Sequence, residues 1–352
     1  MTTVILVDDS ATARLLLRGV LTRDGTIQVI GEAVAGVDAL DLARRLQPDV
    51  IVMDVVMPDV DGFEATRRIM AERPCPIVLV SASYPSEVAS SLAALAAGAV
   101  TIVAKPQRTG SAEAAATGAE LVGAVKRMEG VRLVRRTTTR QPAADKAHPT
   151  TGQMPTPRTA SIVAIGASTG GPRAIATVLS GLPASFPVPI LMVQHIGYRF
   201  TAGLAAWLHE STPISVRLAI EGEVPRAGSA LIAGGDHHLG LAPDGRVHLS
   251  DAPPIGEHRP SATHLFRSVA SVHGPGAVGV ILTGMGSDGA PGLVDLHAAG
   301  GRVVGQDEAT CVVYGMPRAA AARRAVDLLA PLDAIAAVLQ QWCASVPTGP
   351  FS

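Results

Sequence analysis

Along the first hundred residues, short apolar runs alternate with segments whose apolar side chains return every three or four positions. The runs 4–7, 28–33, 50–54, 76–80 and 100–104 read as strands. The segments between them, 11–22, 37–46, 62–71 and 85–97, read as helices. Five strands alternating with helices predict βαβ units and a parallel, doubly wound sheet. One more helix is expected over 112–128, and then the periodicity lapses until about Thr159. That stretch holds Thr137-Thr138-Thr139, Pro142, Pro149, Pro155 and Pro157, with Arg132, Arg135, Arg136 and Arg140. A basic segment of this kind also suits nucleic acid or an acidic protein, but a solvated, mobile tether accounts for it better. From Ser161 a second α/β pattern begins, with strands at 162–165, 190–193, 230–233, 277–282 and 302–304. Its helices start near Gly171, Phe200, Ser261, Asp288 and Met316, and no short tandem repeat is present.

Composition narrows this picture. A chain of 352 residues with 47% hydrophobic and 17% charged residues has material for two cores. With aromatics at 3%, those cores must be packed by Val, Leu, Ile and Ala. A net charge of −1 argues against whole-protein attraction to nucleic acid or to an anionic membrane. Cys75, Cys311 and Cys343 are scattered and form neither a disulfide framework nor a zinc ribbon, as expected in a reducing compartment. The N-terminus runs directly into Val4-Ile5-Leu6-Val7 without the basic flank of a signal peptide. No apolar run reaches the ~18 residues of a membrane span, so membrane insertion is not expected and a cytoplasmic location is.

Chemistry enters at the strand ends, where ligands of open parallel sheets sit. Asp8 and Asp9 close the first strand and Asp54 closes the third, so three carboxylates converge if those strands are neighbours. Three carboxylates need a hard cation among them, and Mg²⁺ takes one or two carboxylates with waters and phosphate oxygens. An aspartate held against such an ion can attack phosphorus. Ser81, after the fourth strand, is placed to bond phosphoryl oxygens, and Lys105, after the fifth, to neutralise them. As a set, Val7-Asp8-Asp9-Ser10, Asp54-Val55-Val56-Met57-Pro58, Asp61-Gly62, Ser81-Ala82 and Lys105-Pro106 resemble the response-regulator receiver family over residues 2–106. That resemblance implies that Asp54 accepts phosphate from a histidine kinase while Asp8 and Asp9, with Asp54, hold Mg²⁺. Receivers usually carry Tyr or Phe three residues before the lysine; here Ile102 stands there.

The second half opens on Gly166-Ala167-Ser168-Thr169-Gly170-Gly171-Pro172 directly after a strand. Glycines permit a tight turn, Pro172 suits a first helical turn, and Ser168 falls at a helix N-terminus that favours negative charge. The string satisfies the G-x-S-x-G elbow pattern, which is weak alone. It fails as a dinucleotide fingerprint because Ser168 occupies the second glycine position. The next strand delivers Gln194-His195, a candidate base, and the strand over 278–282 leads to Asp288, a candidate orienting carboxylate. The order Ser–His–Asp differs from the Ser–Asp–His order of α/β-hydrolases.

With Gly166–Pro172, Val193–His195, Phe200-Thr201, His258-Arg259-Pro260-Ser261, Leu282–Gly289, Gln306–Thr310 and Tyr314–Pro317 taken together, residues 161–340 closely resemble the chemotaxis protein-glutamate methylesterase family (CheB). That family has the same receiver–linker–hydrolase order. The resemblance implies Ser168 as nucleophile, His195 as base, Asp288 as orienter, and an oxyanion site at Thr169 and the Met285 backbone. It also implies γ-glutamyl methyl esters of chemoreceptors as substrates, with receptor glutamine as a deamidation target and no cofactor for the hydrolase. The expected division is a flavodoxin-like receiver over 1–128, a linker over 129–159 and a mainly parallel catalytic domain over 160–346. The family commonly reads His-Met-Pro at the base, where this chain has His195-Ile196-Gly197, and an acidic residue where it has Thr263. These departures bear on the receptor surface recognised.

Other features are given plainer readings. His237, His238, His258 and His264 suggest a metal site, but Gly234-Gly235-Asp236 before the pair reads better as a loop bordering the active site. Cys311 reads as a small, partly buried residue, Trp207 and Trp342 as core or docking surface, and Asp307-Glu308 as a solvated loop. The competing function is a non-catalytic adaptor whose receiver recruits partners, against which the Ser168, His195 and Asp288 set argues.

Overall fold

A computed structural model describes residues 1–23, 25–57, 62–81, 98–99, 101–106, 112–128 and 160–344. The helix expected over 85–97 and the tether over 129–159 lie outside the described residues. In the first half, β1 (Thr2–Val7), β2 (Ile27–Ala33), β3 (Val50–Asp54), β4 (Ile77–Ser81) and β5 (Thr101–Ala104) form one sheet in the order β2-β1-β3-β4-β5. Every pairing in it is parallel. Helices α1 (Ala11–Thr22), α2 (Gly36–Leu46), α3 (Gly62–Glu72) and α4 (Ala112–Arg127) cover it. Alternation along β1 explains the two layers. Val4 and Leu6 pack with Leu17 and Leu21 of α1 and Leu121 and Val125 of α4. Ile5 and Val7 turn to the opposite face, with Ala39 and Ala43 of α2 and Ile69 of α3. Strands buried on both faces read as unbroken apolar runs, which is why they were legible.

The second half carries β6 (Ile162–Ala167), α5 (Gly171–Ser180), β7 (Ile190–Gln194), α6 (Tyr198–Ser211), β8 (Ser215–Leu218) and β9 (Ser229–Ile232). There follow β10 (His238–Leu241), β11 (Val247–Ser250), α7 (Ala262–His273), β12 (Ala277–Ile281), α8 (Ala290–Ala298), β13 (Arg302–Gln306), α9 (Met316–Ala322), β14 (Leu328–Ala330) and α10 (Ile335–Cys343). Seven strands make a parallel sheet in the order β14-β13-β12-β6-β7-β9-β8, and β10 with β11 forms an antiparallel hairpin. After β6 the chain winds toward β8, then returns to build β12, β13 and β14 on the other side. The reversal lies between β6 and β12, the position at which such sheets open a crevice. Strands β8, β14 and the hairpin were not expected from sequence; β8 and β14 are short edge strands of 4 and 3 residues.

The halves meet. Strand β5 is the edge of its sheet, and with α4 it faces the crevice of the second half. Val312, from the second half, packs against the core shared by β1, α1 and α4.

Candidate active site and phosphoacceptor pocket

The first pocket forms because β1 and β3 are direct neighbours. Carboxylate oxygens of Asp8, Asp9 and Asp54 lie within 4.8 Å of one another. Lys105 Nζ lies 2.7 Å from Asp54 Oδ2 and 2.7 Å from Asp8 Oδ2. The Val55 N–H donates to Asp54 Oδ1 at 2.9 Å and the Ser10 N–H to Asp8 Oδ1 at 2.9 Å. Burial, reinforced by Asp8, raises Asp54 to about 6 against the opposing pull of Lys105. One lysine among three carboxylates leaves a surplus of negative charge in a largely buried pocket, which fits a divalent cation. Ser81 is buried at the end of β4, and its carbonyl accepts the Lys105 N–H at 2.7 Å. Gly62 is required beneath the pocket, since a Cβ there would come within 2.5 Å of the Asp54 carbonyl oxygen. Ile102 is buried within β5.

The second site gathers at the crevice. Ser168 follows β6, its N–H donating to Thr283 O at 3.1 Å, and Gly170 turns the chain at φ 76° into α5. The loop after β12 passes close by, because a Cβ on Gly284 would come within 2.8 Å of Ser168 Cβ. His195 follows β7 and bonds Asp288 through Nε2 at 2.9 Å. The buried Nδ1 of His195 has no hydrogen-bond partner among the described residues. With Asp288 on Nε2, that nitrogen keeps its proton and Nδ1 presents the lone pair.

Asp288 is held from several sides. Its Oδ1 accepts the Ser261 hydroxyl at 2.7 Å and the Thr263 N–H at 3.1 Å, and its Oδ2 accepts the Ala262 N–H at 2.7 Å. The carboxylate therefore sits on the N-terminus of α7, where backbone N–H groups favour negative charge. Burial alone would raise its pKa; the bonds from His195, Ser261 and Thr263 outweigh this and hold the carboxyl below its usual range. This support has no local signature in the sequence, where a helix start near Ser261 is all that is expected.

Ser168, Thr169, His195 and Met285 line one cavity of about 620 Å³. Its opposite wall comes from the first half: Ile102 and Val103 of β5, and Glu120, Gly123 and Arg127 along one face of α4. Burial raises the pKa of Glu120, whose Oε1 would lie 3.4 Å from a Cβ on Gly197. Gly235 and Asp236 border the cavity, as expected of that loop. His238 is buried and engaged at both nitrogens, by the Ser261 N–H at 3.1 Å and Pro253 O at 3.2 Å. Cys311 lines a separate cavity of about 100 Å³ between the halves, and burial pushes its thiol up to about 12.

His258 stacks on His195 with ring centroids 4.0 Å apart and planes 9° from parallel. Burial first, then the neighbouring His195, pushes it down to about 4. The unfolded chain therefore takes up this proton first as pH falls, so stability present above pH ~6.5 is lost as pH falls toward 4. His258→Phe is expected to flatten that part of the stability curve by ~1–2 kcal/mol, discounting for partial solvent exposure. Urea midpoints at pH 7 and pH 5 for both proteins check this, and identical pH dependence would show that the stacked ring does not titrate as described.

A domain with an acidic strand-end pocket, packed by β5 and α4 across a crevice that carries serine, histidine and aspartate, defines a class: hydrolases joined to a receiver-type domain. Residues 163–339 match the CheB methylesterase family and residues 4–117 match the response regulator receiver domain. The chain is 48% identical over 343 residues, 97% of itself and 99% of the relative, to a "Protein-glutamate methylesterase/protein-glutamine glutaminase 3" of Anaeromyxobacter dehalogenans. It is 46% identical over 315 residues, 89% of each chain, to a protein of the same description, numbered 4, from Myxococcus xanthus. The crystal structure of the Thermotoga maritima CheB methylesterase catalytic domain superimposes with a TM-score of 0.50 at 37% identity, covering 52% of this chain and 99% of that one. This chain belongs to the CheB family of protein-glutamate methylesterases.

Proposed function

We propose that this chain hydrolyses γ-glutamyl methyl esters on methyl-accepting chemoreceptors, releases methanol, and is controlled by phosphorylation of Asp54. The observation that carries the reading is the His195–Asp288 pair, 2.9 Å apart, in the cavity that Ser168 also lines. Ser168 Oγ attacks the ester carbonyl while His195 Nδ1 takes its proton. The tetrahedral oxyanion is received by the backbone N–H groups of Thr169 and Met285, which border the same cavity. Collapse expels methanol, which leaves with the proton from His195. Water, deprotonated by His195, then releases the glutamate carboxylate and restores Ser168. Asp288 keeps the imidazole in the tautomer that this sequence of transfers needs. A glutamine side chain would follow the same path with ammonia as leaving group. The intact set weighs against the adaptor reading.

The division into receiver (1–128), linker (129–159) and catalytic domain (160–346) belongs to the same proposal. Asp8, Asp9 and Asp54 would hold Mg²⁺, which supplies charge neutralisation for phosphoryl transfer. Asp54 takes the phosphoryl group from a histidine kinase, Ser81 bonds its oxygens, and Lys105 leaves its aspartate partners to pair with it. Unphosphorylated, the wall formed by β5 and α4 covers the catalytic cavity and excludes a receptor helix.

The test supplies purified receptor carrying labelled methyl esters, and separately unmodified receptor with glutamine at those sites. Methanol release is expected from the first and ammonia from the second, both raised by a small phosphodonor with Mg²⁺. Ammonia without methanol would make the enzyme a deamidase, and neither product would return it to the adaptor reading.

A further inference from the structure

One buried polar side chain in the site has no role in the chemistry above. Gln194 is the last residue of β7 and is 4% exposed. Its Nε2 donates to two backbone carbonyls at once, Ser168 O at 2.8 Å and His195 O at 2.9 Å. These carbonyls belong to the candidate nucleophile and the candidate base, which follow adjacent strands.

Satisfying a backbone acceptor accounts for the bond to His195 O but not for the one to Ser168 O. Ser168 O already accepts the Gly171 N–H at 2.8 Å, and the two strand ends are already joined by the His195 N–H to Ala167 O at 3.0 Å. The arrangement also carries a cost: Gln194 Oε1 is buried without a hydrogen-bond partner among the described residues. It fits only because residue 171 is glycine, where a Cβ would lie 1.9 Å from that oxygen. The amide cannot relieve the cost by turning over, since Oε1 would then face two carbonyl oxygens.

We infer that Gln194 is a positioning residue whose amide, bonded to the carbonyls of Ser168 and His195, fixes the separation and orientation of nucleophile and base. The inference rests on the roles proposed above for those two residues. The ladder bond ends one residue short of Ser168, so the next link between the strands is this side chain. An unclamped Ser168 turn would leave Oγ and Nδ1 free to drift, and a misplacement of about 1 Å can cost about 10²-fold in rate.

The experiment uses the full-length chain and a small fluorophosphonate, which an activated serine attacks with loss of fluoride as the base takes the proton. The rate constant is measured per folded molecule, with the folded fraction taken from near-UV circular dichroism. Gln194→Met keeps the shape and removes both donors; Gln194→Asn keeps an amide one methylene shorter, unable to span both carbonyls. We expect labelling by Gln194→Met to slow about 10²-fold and by Gln194→Asn about 10-fold, with methanol release losing kcat and keeping KM. Wild-type labelling rates per folded molecule in both variants would overturn the inference, leaving Gln194 a packing residue. Should Gln194→Met fail to fold, Gln194→Asn decides alone. Absence of labelling at Ser168 in the wild-type chain would instead sink the nucleophile assignment itself.

Discussion

Replacing Ser168 with alanine is expected to lower methanol release by about 10⁶-fold, the scale seen when a triad nucleophile is removed, while the fold stands. The bonds that residue 168 makes in the turn all use its own backbone groups: its N–H to Thr283 O, and its carbonyl to the Gly171 N–H and the Gln194 side-chain amide. None uses the hydroxyl, so the variant should keep the wild-type urea midpoint. His195→Ala is expected to fall as far, because its Nδ1 is the proposed acceptor for the serine proton. Asp288→Asn should behave differently. Loss of the correct imidazole tautomer costs about 10⁴-fold, and the amide also disturbs the cap on α7 that Ala262, Thr263 and Ser261 share. A stability loss of about 1 kcal/mol, typical of a lost cap, should accompany it. Turnover by Ser168→Ala within an order of magnitude of wild type would remove the serine from its role.

The second large effect concerns Asp54. In the presence of Mg²⁺ and a small phosphodonor, the wild-type chain should acquire one base-labile phosphate, and Asp54→Asn should acquire none. Phosphorylation places new negative charge against Lys105, which now divides itself between Asp54 and Asp8 at 2.7 Å each. That lysine directly follows β5, whose Ile102 and Val103 face the catalytic cavity. Drawing Lys105 onto a phosphoryl group is therefore expected to shift the strand that walls the site. Couplings of this kind are typically worth 5–150-fold, and the methanol release rate of the full chain should rise within that range. A fragment from residue 160 onward should match the phosphorylated chain without any phosphodonor. Fragment and unphosphorylated chain releasing methanol at equal rates would reject occlusion of the cavity.

Much of this arrangement could be read directly from sequence. Runs such as Ile51-Val52-Met53 announce strands buried on both faces, and chemistry at their ends follows from the sheet type. What escaped was carried by contacts between distant positions. Strand β8 alternates buried Val216 with exposed Ser215 and Arg217 and is too short to signal itself. Gln194 was visible beside His195, but its bond to a carbonyl 26 residues away has no local signature. Ser261 was recognisable as a helix start, yet its service to Asp288 depends on where the β12 loop lands. Glu120, Gly123 and Arg127 form a stripe along one helical face whose partner no local pattern identifies. In the fold that stripe looks into the cavity of the other half.

Strand β5 meets the phosphoacceptor pocket at one end and lines the catalytic cavity along its length, so both events compete with one docking contact. Linkage then runs in both directions, because a free energy shared by two sites has no preferred sender. A receptor helix seated in the cavity excludes the covering wall, and with it the contact that phosphorylation must oppose. Receptor binding should therefore raise the equilibrium ratio of phosphorylated to unphosphorylated enzyme by the same factor that phosphorylation raises receptor affinity. The substrate would thereby act as an activator of its own hydrolase, concentrating the phosphorylated enzyme where methyl esters are dense.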